Sequence, residues 1–440
     1  MIAPARAAAF EILLKVTTTD AHSDELLRSR EVDALSAQDR ALVTTLVLGT
    51  LRWQLTLDDR IRAFLSRPNA RLVPAVQTAL RLGAFQLLHL DRIPAHASIG
   101  ESVELTKQAG ETFAAGMVNA VLRKLAQSPR ESAQGGSLAE EFAHPEWMVE
   151  RWARFYGLDV ARAICVFDQD PAGICMRLVH PEAERALADE GIEVRPGEFL
   201  SAARRVVRGD VVRSEAFRLG WVRIQDEGSQ LVAELTGHGA NILDTCAAPG
   251  GKTAVLAERN PEASITALDV SQHRLDAMRR SFSGGRIRFG LQDAAAMELK
   301  PEYDLILCDV PCTGTGTIGR NPEIRFRVNE AEIARQHERQ VKILQRALEG
   351  LVPGGRLIYS TCSLEPEENE AVIAECAERA PGCEVVALDM ELERLEREGI
   401  LHAAGAKKLR QLAVRDGFLR TLPGVHDCDG FFAAMFIARP

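Results

Sequence analysis

The chain has 440 residues, of which 46% are hydrophobic and 26% are charged. This length exceeds one ordinary domain, and the composition excludes a disordered, fibrous or collagen-like chain. No stretch approaches the roughly 18 uncharged apolar residues that a membrane-spanning helix needs, and the N-terminus lacks the pattern of a secretory signal. We therefore expect a cytoplasmic protein of two or more domains with no membrane association.

The formal net charge is -9, which argues against nucleic-acid binding by the whole surface but leaves local basic patches open. Residues 1–130 contain 16 Lys and Arg against 13 Asp and Glu, so the N-terminal part is the more basic section. The nine cysteines are an odd number spread along the chain, and this pattern does not predict a disulfide framework.

The first 130 residues show the apolar spacing of helices throughout. This spacing predicts helices near residues 5–14, 39–51, 72–90, 98–107 and 115–125. We predict an all-α domain over residues 1–130, a polar linker over 131–143 with a Gly-Gly pair, and a small α+β module over 144–235.

From residue 236 to the C-terminus, strand patterns alternate with helical ones. Strands are predicted at 242–244, 264–269, 287–289, 303–308 and 356–360. Strands separated by helices indicate a parallel, doubly wound sheet, so residues 236–440 are predicted to form a Rossmann-like domain.

A glycine-rich turn follows the first of these strands, with the sequence Asp-Thr-Cys-Ala-Ala-Pro-Gly-Gly-Lys-Thr over residues 244–253. Its glycine spacing matches neither a phosphate-binding P-loop nor a dinucleotide fingerprint. Two more acids, Asp269 and Asp293, follow the next two strands, where they could meet the ribose and the base of an adenosine. The alternative is that Asp244 and Asp269 only cap helices, as aspartate often does.

Two cysteines follow the fourth and fifth strands, Cys312 in Asp-Val-Pro-Cys and Cys362 in Ser-Thr-Cys-Ser. Both should emerge at the ligand-binding edge of the sheet, although a single cysteine is more often a small buried apolar residue. Cys308 and Cys312 could form half of a metal site, but no second pair accompanies them, so no metal is expected. Arginines suited to RNA phosphates are candidates for substrate contact: Arg52, Arg60, Arg62, Arg71, Arg320, Arg325 and Arg327.

The motifs over 244–253, 309–312 and 360–363, followed by Glu-Pro-Glu-Glu-Asn-Glu over 365–370, resemble the RNA 5-methylcytosine methyltransferases. The first 130 residues resemble the NusB-like RNA-binding domain fused to one branch of that family, the bacterial RsmB (Sun/Fmu) enzymes. This resemblance implies a Rossmann-like catalytic domain, S-adenosylmethionine as cofactor, and methylation of C5 of one cytosine in 16S rRNA.

The resemblance also implies a role for each motif residue. Cys362 would be the nucleophile that attacks C6 of cytosine, Cys312 would assist product release, and Asp309 would contact N3 and line the cofactor site. Asp269 would bind the ribose of the cofactor and Asp293 its adenine. The rest of the cofactor would lie against the glycine-rich turn, namely Cys246, Ala247, Ala248, Pro249, Gly250, Gly251 and Lys252.

Other functions stay open at this point. The same reaction could act on transfer RNA or on another ribosomal site, since the catalytic motifs do not choose the substrate. A non-catalytic RNA-binding or antitermination-like module would rest on the helical domain alone. A DNA cytosine methyltransferase would use the cysteine of the Pro-Cys motif as nucleophile and would lack the Thr-Cys partner. No obligate protein partner is expected.

Overall fold

The computed structural model describes residues 2–129, 136–170, 173–282 and 285–440. The chain forms two compact units. Unit 1 comprises Met1–Pro171 together with Ile318–Arg327, and unit 2 comprises Ala172–Thr317 together with Val328–Pro440.

Unit 1 is helical, and its described residues contain no strand, which confirms the predicted all-α N-terminal fold. Its helices are α1 (Pro4–Thr18), α2 (Ser23–Leu27), α3 (Arg30–Asp33), α4 (Ala37–Arg52), α5 (Gln54–Arg62), α6 (Pro74–His89), α7 (Ala95–Gln108), α8 (Ala115–Gln127), α9 (Leu138–Glu141), α10 (Glu146–Tyr156), α11 (Leu158–Gln169) and, much later in the chain, α17 (Ile324–Arg327).

Local signals explain several of these helices. Pro4 begins α1, where its missing N–H would have no partner in any case. The Ser36 side chain accepts a hydrogen bond from the Asp39 backbone N–H and so caps α4. Leu46, Leu80 and Leu122 point into one buried core shared by α4, α6 and α8.

The predicted linker over residues 131–143 lies within unit 1 and is partly outside the described residues. Residues 131–135 of the predicted linker are not described, and residues 136–143 include α9, whose first turn is capped reciprocally by Ser137 and Glu140. Helices α10 and α11 belong to unit 1. The domain boundaries predicted from the sequence remain predictions.

Two of the arginines proposed for RNA contact are internal to unit 1, so their prediction was wrong. Arg325 is 1% exposed and donates to the backbone carbonyls of Arg52 (3.0 Å) and Ala143 (2.9 Å). Arg52 is also buried and donates to the carbonyl of Gly319 (2.7 Å). A guanidinium can satisfy several converging carbonyls, and a sequence does not reveal which carbonyls converge.

Arg327 is likewise occupied within unit 1. Its guanidinium donates to the carbonyls of Val16 (3.1 Å) and Ala21 (2.7 Å). The segment 318–327 is therefore held to the helices by arginine side chains.

Unit 2 begins with a four-stranded antiparallel sheet in the order β2-β3-β1-β4. Its elements are β1 (Cys175–Leu178), α12 (Ala183–Asp189), β2 (Glu193–Pro196), β3 (Ala203–Arg208), α13 (Glu215–Arg218) and β4 (Val222–Ile224). Met176, Leu187 and Val222 pack in its small core.

The larger sheet of unit 2 has nine strands in the order β11-β12-β13-β9-β8-β5-β6-β7, with β10 also paired to β13. Its strands are β5 (Asn241–Asp244), β6 (Ser264–Asp269), β7 (Ile287–Leu291), β8 (Tyr303–Asp309), β9 (Leu351–Thr361), β10 (Cys383–Val386), β11 (Val414–Arg415), β12 (Phe418–Thr421) and β13 (Phe431–Ala438). Its helices are α14 (Glu227–Leu235), α15 (Gly251–Arg259), α16 (Gln272–Ser281), α18 (Glu330–Glu349), α19 (Glu370–Arg379), α20 (Asp389–Arg397) and α21 (Ala403–Leu412).

Strands β5 to β9 pair in parallel, which confirms the Rossmann-like prediction for this part of the sheet. The chain runs from β5 outward through β6 and β7 and then returns to place β8 on the other side of β5. The order of the strands thus reverses between β5 and β8, and ligands of such sheets bind beside the carboxyl ends of the strands at this point.

The strands after β9, which the sequence analysis did not predict, pair antiparallel. β13 inserts between β9 and β12, and seven of its eight residues are buried. Its side chains face core on both sides of the sheet, and a continuous apolar run does not reveal the direction of pairing. Among the described helices, none combines the length and the apolar composition needed to cross a membrane.

Candidate active site

A cavity of about 200 Å³ lies at the carboxyl ends of β5, β6, β8 and β9, and all of its lining residues belong to unit 2. Its walls are formed by Thr245, Cys246, Ala248, Asp269, Val270, Arg274, Gln292, Asp293, Ala294, Asp309, Val310, Pro311, Cys312, Arg339, Ile343 and Cys362. The parallel strands bring these residues together because all of them end at one edge of the sheet.

The glycine-rich turn after β5 is held by the acid at the end of β6. Asp269 is 5% exposed, and its carboxylate accepts from the backbone N–H groups of Ala248 (3.2 Å) and Ser271 (2.8 Å). Gly250 has φ of 104°, a left-handed conformation that glycine adopts without strain. Each oxygen of Asp269 keeps a second lone pair for a ligand in the cavity.

Asp244 lies beneath the turn rather than in the cavity. It is 1% exposed and accepts a hydrogen bond from the hydroxyl of Thr253 (2.6 Å) on α15. Burial raises the pKa of Asp244 to about 7, even though the bond from Thr253 acts in the opposite direction. Asp244 therefore links the end of β5 to α15. This is a structural role, of the kind that the sequence analysis gave as the alternative for this residue.

An ion pair joins the turn after β5 to the end of β8. Lys252 Nζ lies 2.7 Å from Asp309 Oδ2, and the hydroxyl of Ser360 donates to Asp309 Oδ1 at 2.6 Å. Burial alone would lower the pKa of Lys252, but the negative charges of Asp309 and Cys362 raise it overall. Lys252 thus stays an ammonium beside the carboxylate and the Cys362 sulfur.

The two motif cysteines are neighbours although fifty residues separate them in sequence. Cys312 Sγ and Cys362 Sγ lie 3.3 Å apart, both side chains are partly exposed, and both line the cavity. The Cys362 sulfur as a hydrogen-bond partner, together with burial, raises the pKa of Cys312 well above its usual value. Cys312 therefore holds its proton more tightly than an ordinary cysteine does.

The structure brings most of the predicted site residues to the cavity. Those that line it are Cys246, Ala248, Asp269, Asp293, Asp309, Cys312 and Cys362. Those that support it without lining it are Ala247, Pro249, Gly250, Gly251 and Lys252. Asp293 is exposed, and its side chain accepts from the backbone N–H of Ala295 (3.0 Å).

Sequence reasoning missed the contribution of α18 to the cavity. Arg339 and Ile343 lie one helical turn apart on this helix, and both face the cavity. Arg339 is partly exposed and has no ion-pair or hydrogen-bond partner among the described residues. The sequence signal for Arg339 would have been its position one helical turn before the apolar Ile343.

Two known families match the chain. The family described as "16S rRNA methyltransferase RsmB/F" matches residues 234–437, and the NusB family matches residues 3–127. The first match contains the whole cavity and both cysteines.

Curated relatives match over nearly the full length. The chain is 34% identical to the probable ribosomal RNA small subunit methyltransferase B of Bacillus subtilis, over 96% of each chain. It is 32% identical to the ribosomal RNA small subunit methyltransferase B of Xanthomonas campestris, over 91% of this chain and 89% of the relative.

Solved structures share the fold. The crystal structure of PH0851 matches with a TM-score of 0.81 at 23% identity and covers 99% of both chains. A methyltransferase homolog from Pyrococcus horikoshii matches with a TM-score of 0.53 at 26% identity, over 68% of this chain and 97% of its own. The chain therefore belongs to the 16S rRNA methyltransferase RsmB/F family and is an S-adenosylmethionine-dependent RNA methyltransferase.

Proposed function

We propose that this enzyme methylates C5 of a cytosine in 16S rRNA through a covalent adduct between Cys362 and C6 of the base. The observation that carries the proposal is the pair of sulfurs, 3.3 Å apart, in one cavity with the Lys252–Asp309 ion pair. The chemistry of cytosine explains why such a pair is needed.

C5 of cytosine is a weak nucleophile, so electrons must be pushed into it before it can accept a methyl group. A thiolate that adds to C6 does this, because it turns C5 into an enamine-like carbon. Cys362 is the proposed nucleophile, since the neighbouring Lys252 ammonium stabilises its thiolate and Cys312 keeps its own proton.

Addition to C6 leaves negative charge on the ring, which a proton at N3 would neutralise. Asp309 is the proposed contact for N3. Its carboxylate accepts hydrogen bonds from Lys252 and Ser360. To assist the addition, Asp309 would have to share a proton with N3 as a general acid, while Lys252 keeps its own proton.

After methylation, the C5 proton must leave and the C6–sulfur bond must break. Once Cys362 is bonded to carbon, its sulfur no longer provides the hydrogen bond and the charge that raise the pKa of Cys312. Cys312 would then lose its own proton to solvent, and the resulting thiolate would take the C5 proton, directly or through water. The C5–H electrons form the C5–C6 double bond, and Cys362 leaves as a thiolate.

The hydrogen-bond acceptors of the cavity fit S-adenosylmethionine, which supplies an electrophilic methyl group when bound. The free lone pairs of Asp269 suit the two ribose hydroxyls, and Asp293 suits the amino edge of adenine. The turn from Cys246 to Lys252 would hold the remaining part of the cofactor.

The target base must leave any helical stack to reach two sulfurs at the bottom of a cavity. Arg339 lines the same cavity and is the proposed contact for RNA phosphate there. The match of residues 3–127 to the NusB family supports an RNA-binding role for the N-terminal unit.

The test is to map 5-methylcytosine on 16S rRNA from cells that lack this gene and from cells complemented with the wild-type or Cys362→Ser protein. We expect one 16S cytosine to lose its methyl group in the deletion strain and to regain it only with the wild-type protein. If the deletion strain keeps its 16S rRNA methylation and loses a methyl group from a transfer RNA instead, transfer RNA replaces 16S rRNA as the proposed substrate.

A further inference from the structure

The buried carboxylate of Glu368 lies at the junction of the two cysteine loops. It ends the short 3-10 helix Pro366–Glu368 and is 0% exposed. Four donors converge on it. Its Oε1 accepts from the backbone N–H of Thr313 and from Gln340 Nε2, each at 2.9 Å, and its Oε2 accepts from the hydroxyls of Thr313 and Ser363.

The positions of these donors connect the carboxylate to the reaction centre. Thr313 directly follows Cys312, and Ser363 directly follows Cys362. One carboxylate therefore binds the residue after each cysteine. Gln340 on α18 extends the same cluster, because its amide also donates to the carbonyl of Pro311, just before Cys312, at 2.9 Å.

Removing a carboxylate from water costs free energy, so a buried carboxylate is usually paired with a cation. Within the described part of the chain, the partners of Glu368 are neutral hydrogen-bond donors. Burial raises the pKa of Glu368, whereas the four donors favour the ionised form. Such charge-assisted bonds are short and directional, so they fix geometry as well as contributing stability.

The two loops also touch each other without Glu368. The backbone N–H of Gly316 donates to the carbonyl of Cys362 (2.9 Å), and that of Leu364 donates to the hydroxyl of Thr315 (2.9 Å). These bonds should keep the loops folded when the carboxylate is altered, and Glu368 is the side chain that bonds to both residues that follow the cysteines.

We infer that Glu368 is a positioning residue that sets the placement of the Cys312 and Cys362 sulfurs relative to each other. The effect of Glu368 on catalysis rests on the proposed function. Its effect on the distance between the two sulfurs can be measured on the free protein, without RNA or cofactor.

The experiment compares the full-length Glu368→Gln variant with the wild type. An amide in this place removes the charge that strengthens all four bonds, and the hydroxyls of Thr313 and Ser363 would have to accept from its NH₂ group instead of donating. The matched control is Glu375→Gln on α19, whose carboxylate pairs instead with His337 (2.9 Å) and Arg379 (2.7 Å).

The first readout is the rate at which diamide joins Cys312 to Cys362, identified as a cross-linked peptide by mass spectrometry. In this reaction the two thiols lose two protons and two electrons, and the diazene accepts them to become a hydrazine. The rate reports how often the two sulfurs meet. Single-turnover methylation, calorimetric S-adenosylmethionine affinity and the melting temperature are measured on the same variants.

We expect Glu368→Gln to slow both cross-linking and single-turnover methylation by about tenfold or more, since small misplacements of reacting groups carry such effects. Its affinity for S-adenosylmethionine should stay within about twofold of wild type, because Asp269, Asp293 and the turn after β5 lie on other loops, and Glu375→Gln should match wild type in every readout. Wild-type cross-linking in Glu368→Gln would overturn the inference whatever the activity.

A second variant covers the case in which Glu368→Gln does not fold. Thr313→Val removes one hydroxyl donor and keeps the backbone N–H, so its cross-linking rate should fall by a smaller factor. Wild-type cross-linking in that variant would equally overturn the inference. If cross-linking is slow in the variants but the wild-type protein itself does not methylate RNA, the positioning role of Glu368 is supported and the proposed reaction is wrong.

Discussion

Lys252 Nζ lies 2.7 Å from Asp309 Oδ2, so an ion pair joins the turn after β5 to the end of β8 at the cavity that holds both motif cysteines. The pair is mostly buried, with the Lys252 and Asp309 side chains 13% and 25% exposed. The charges of Lys252 and Asp309 therefore act on neighbouring groups with less screening by solvent and salt than the charges of a surface pair would.

Replacing Lys252 by methionine should make Cys362 a poorer nucleophile, because the ammonium that stabilises its thiolate is removed. We expect alkylation of Cys362 by iodoacetamide to slow by about tenfold near neutral pH, and methylation to slow at least as much. Mass spectrometry of the Cys362 peptide gives the rate. Lys342→Met, an exposed lysine on α18, should behave as wild type; an unchanged alkylation rate in Lys252→Met would refute the electrostatic role.

The two cysteines should give opposite results when each is replaced by serine. Cys312→Ser keeps the proposed nucleophile but loses the base for elimination, so a protein–RNA adduct that survives denaturing electrophoresis should accumulate in the presence of S-adenosylmethionine. Cys362→Ser should form no adduct at all. An adduct in Cys362→Ser and none in Cys312→Ser would mean that the roles are reversed.

Arg339 should act on RNA rather than on the cofactor. Arg339→Met is expected to raise the KM for RNA by about tenfold and to reduce the dependence of RNA affinity on salt, since one phosphate contact is lost. The affinity for S-adenosylmethionine should not change. Arg335→Met is the matched control, one turn earlier on α18, where Arg335 is exposed and pairs with Glu332. Weaker cofactor binding with normal RNA binding would assign Arg339 to the cofactor instead.

The pKa of Asp244 gives a test of stability against pH. Its folded pKa of about 7 lies above the value of about 3.9 expected in the unfolded chain, so the folded state binds the extra proton between these two values. The contribution of this group to stability is present at low pH and is lost as pH rises toward 7.

Asp244→Asn should therefore gain stability relative to the wild type as pH rises from 5 to 8, by on the order of 2 kcal/mol in the free energy of unfolding. Urea unfolding at both pH values measures this gain, with the partly exposed Asp276→Asn as control. The same stability difference at pH 5 and pH 8 would show that Asp244 does not titrate in this range.

The strands that build the site could be predicted because their signals are local. The strand predicted at 264–269 is found at Ser264–Asp269, and the one predicted at 303–308 at Tyr303–Asp309. The carboxyl ends of parallel strands share one edge, so the meeting of Cys312 and Cys362 also followed from the order of motifs. Apolar periodicity and turn glycines carry this information within a few residues.

The placement of long polar side chains was decided only by tertiary structure. Arg325 is buried because the carbonyls of Arg52 and Ala143 converge on it, and Arg339 reaches the cavity because α18 packs beside β8. Glu368 becomes a shared acceptor only when the loops after β8 and β9 fold against each other. The sequence by itself determined the elements and the motif chemistry, whereas the partners of each charged side chain depended on donors and acceptors far away in the chain, which no local pattern encodes.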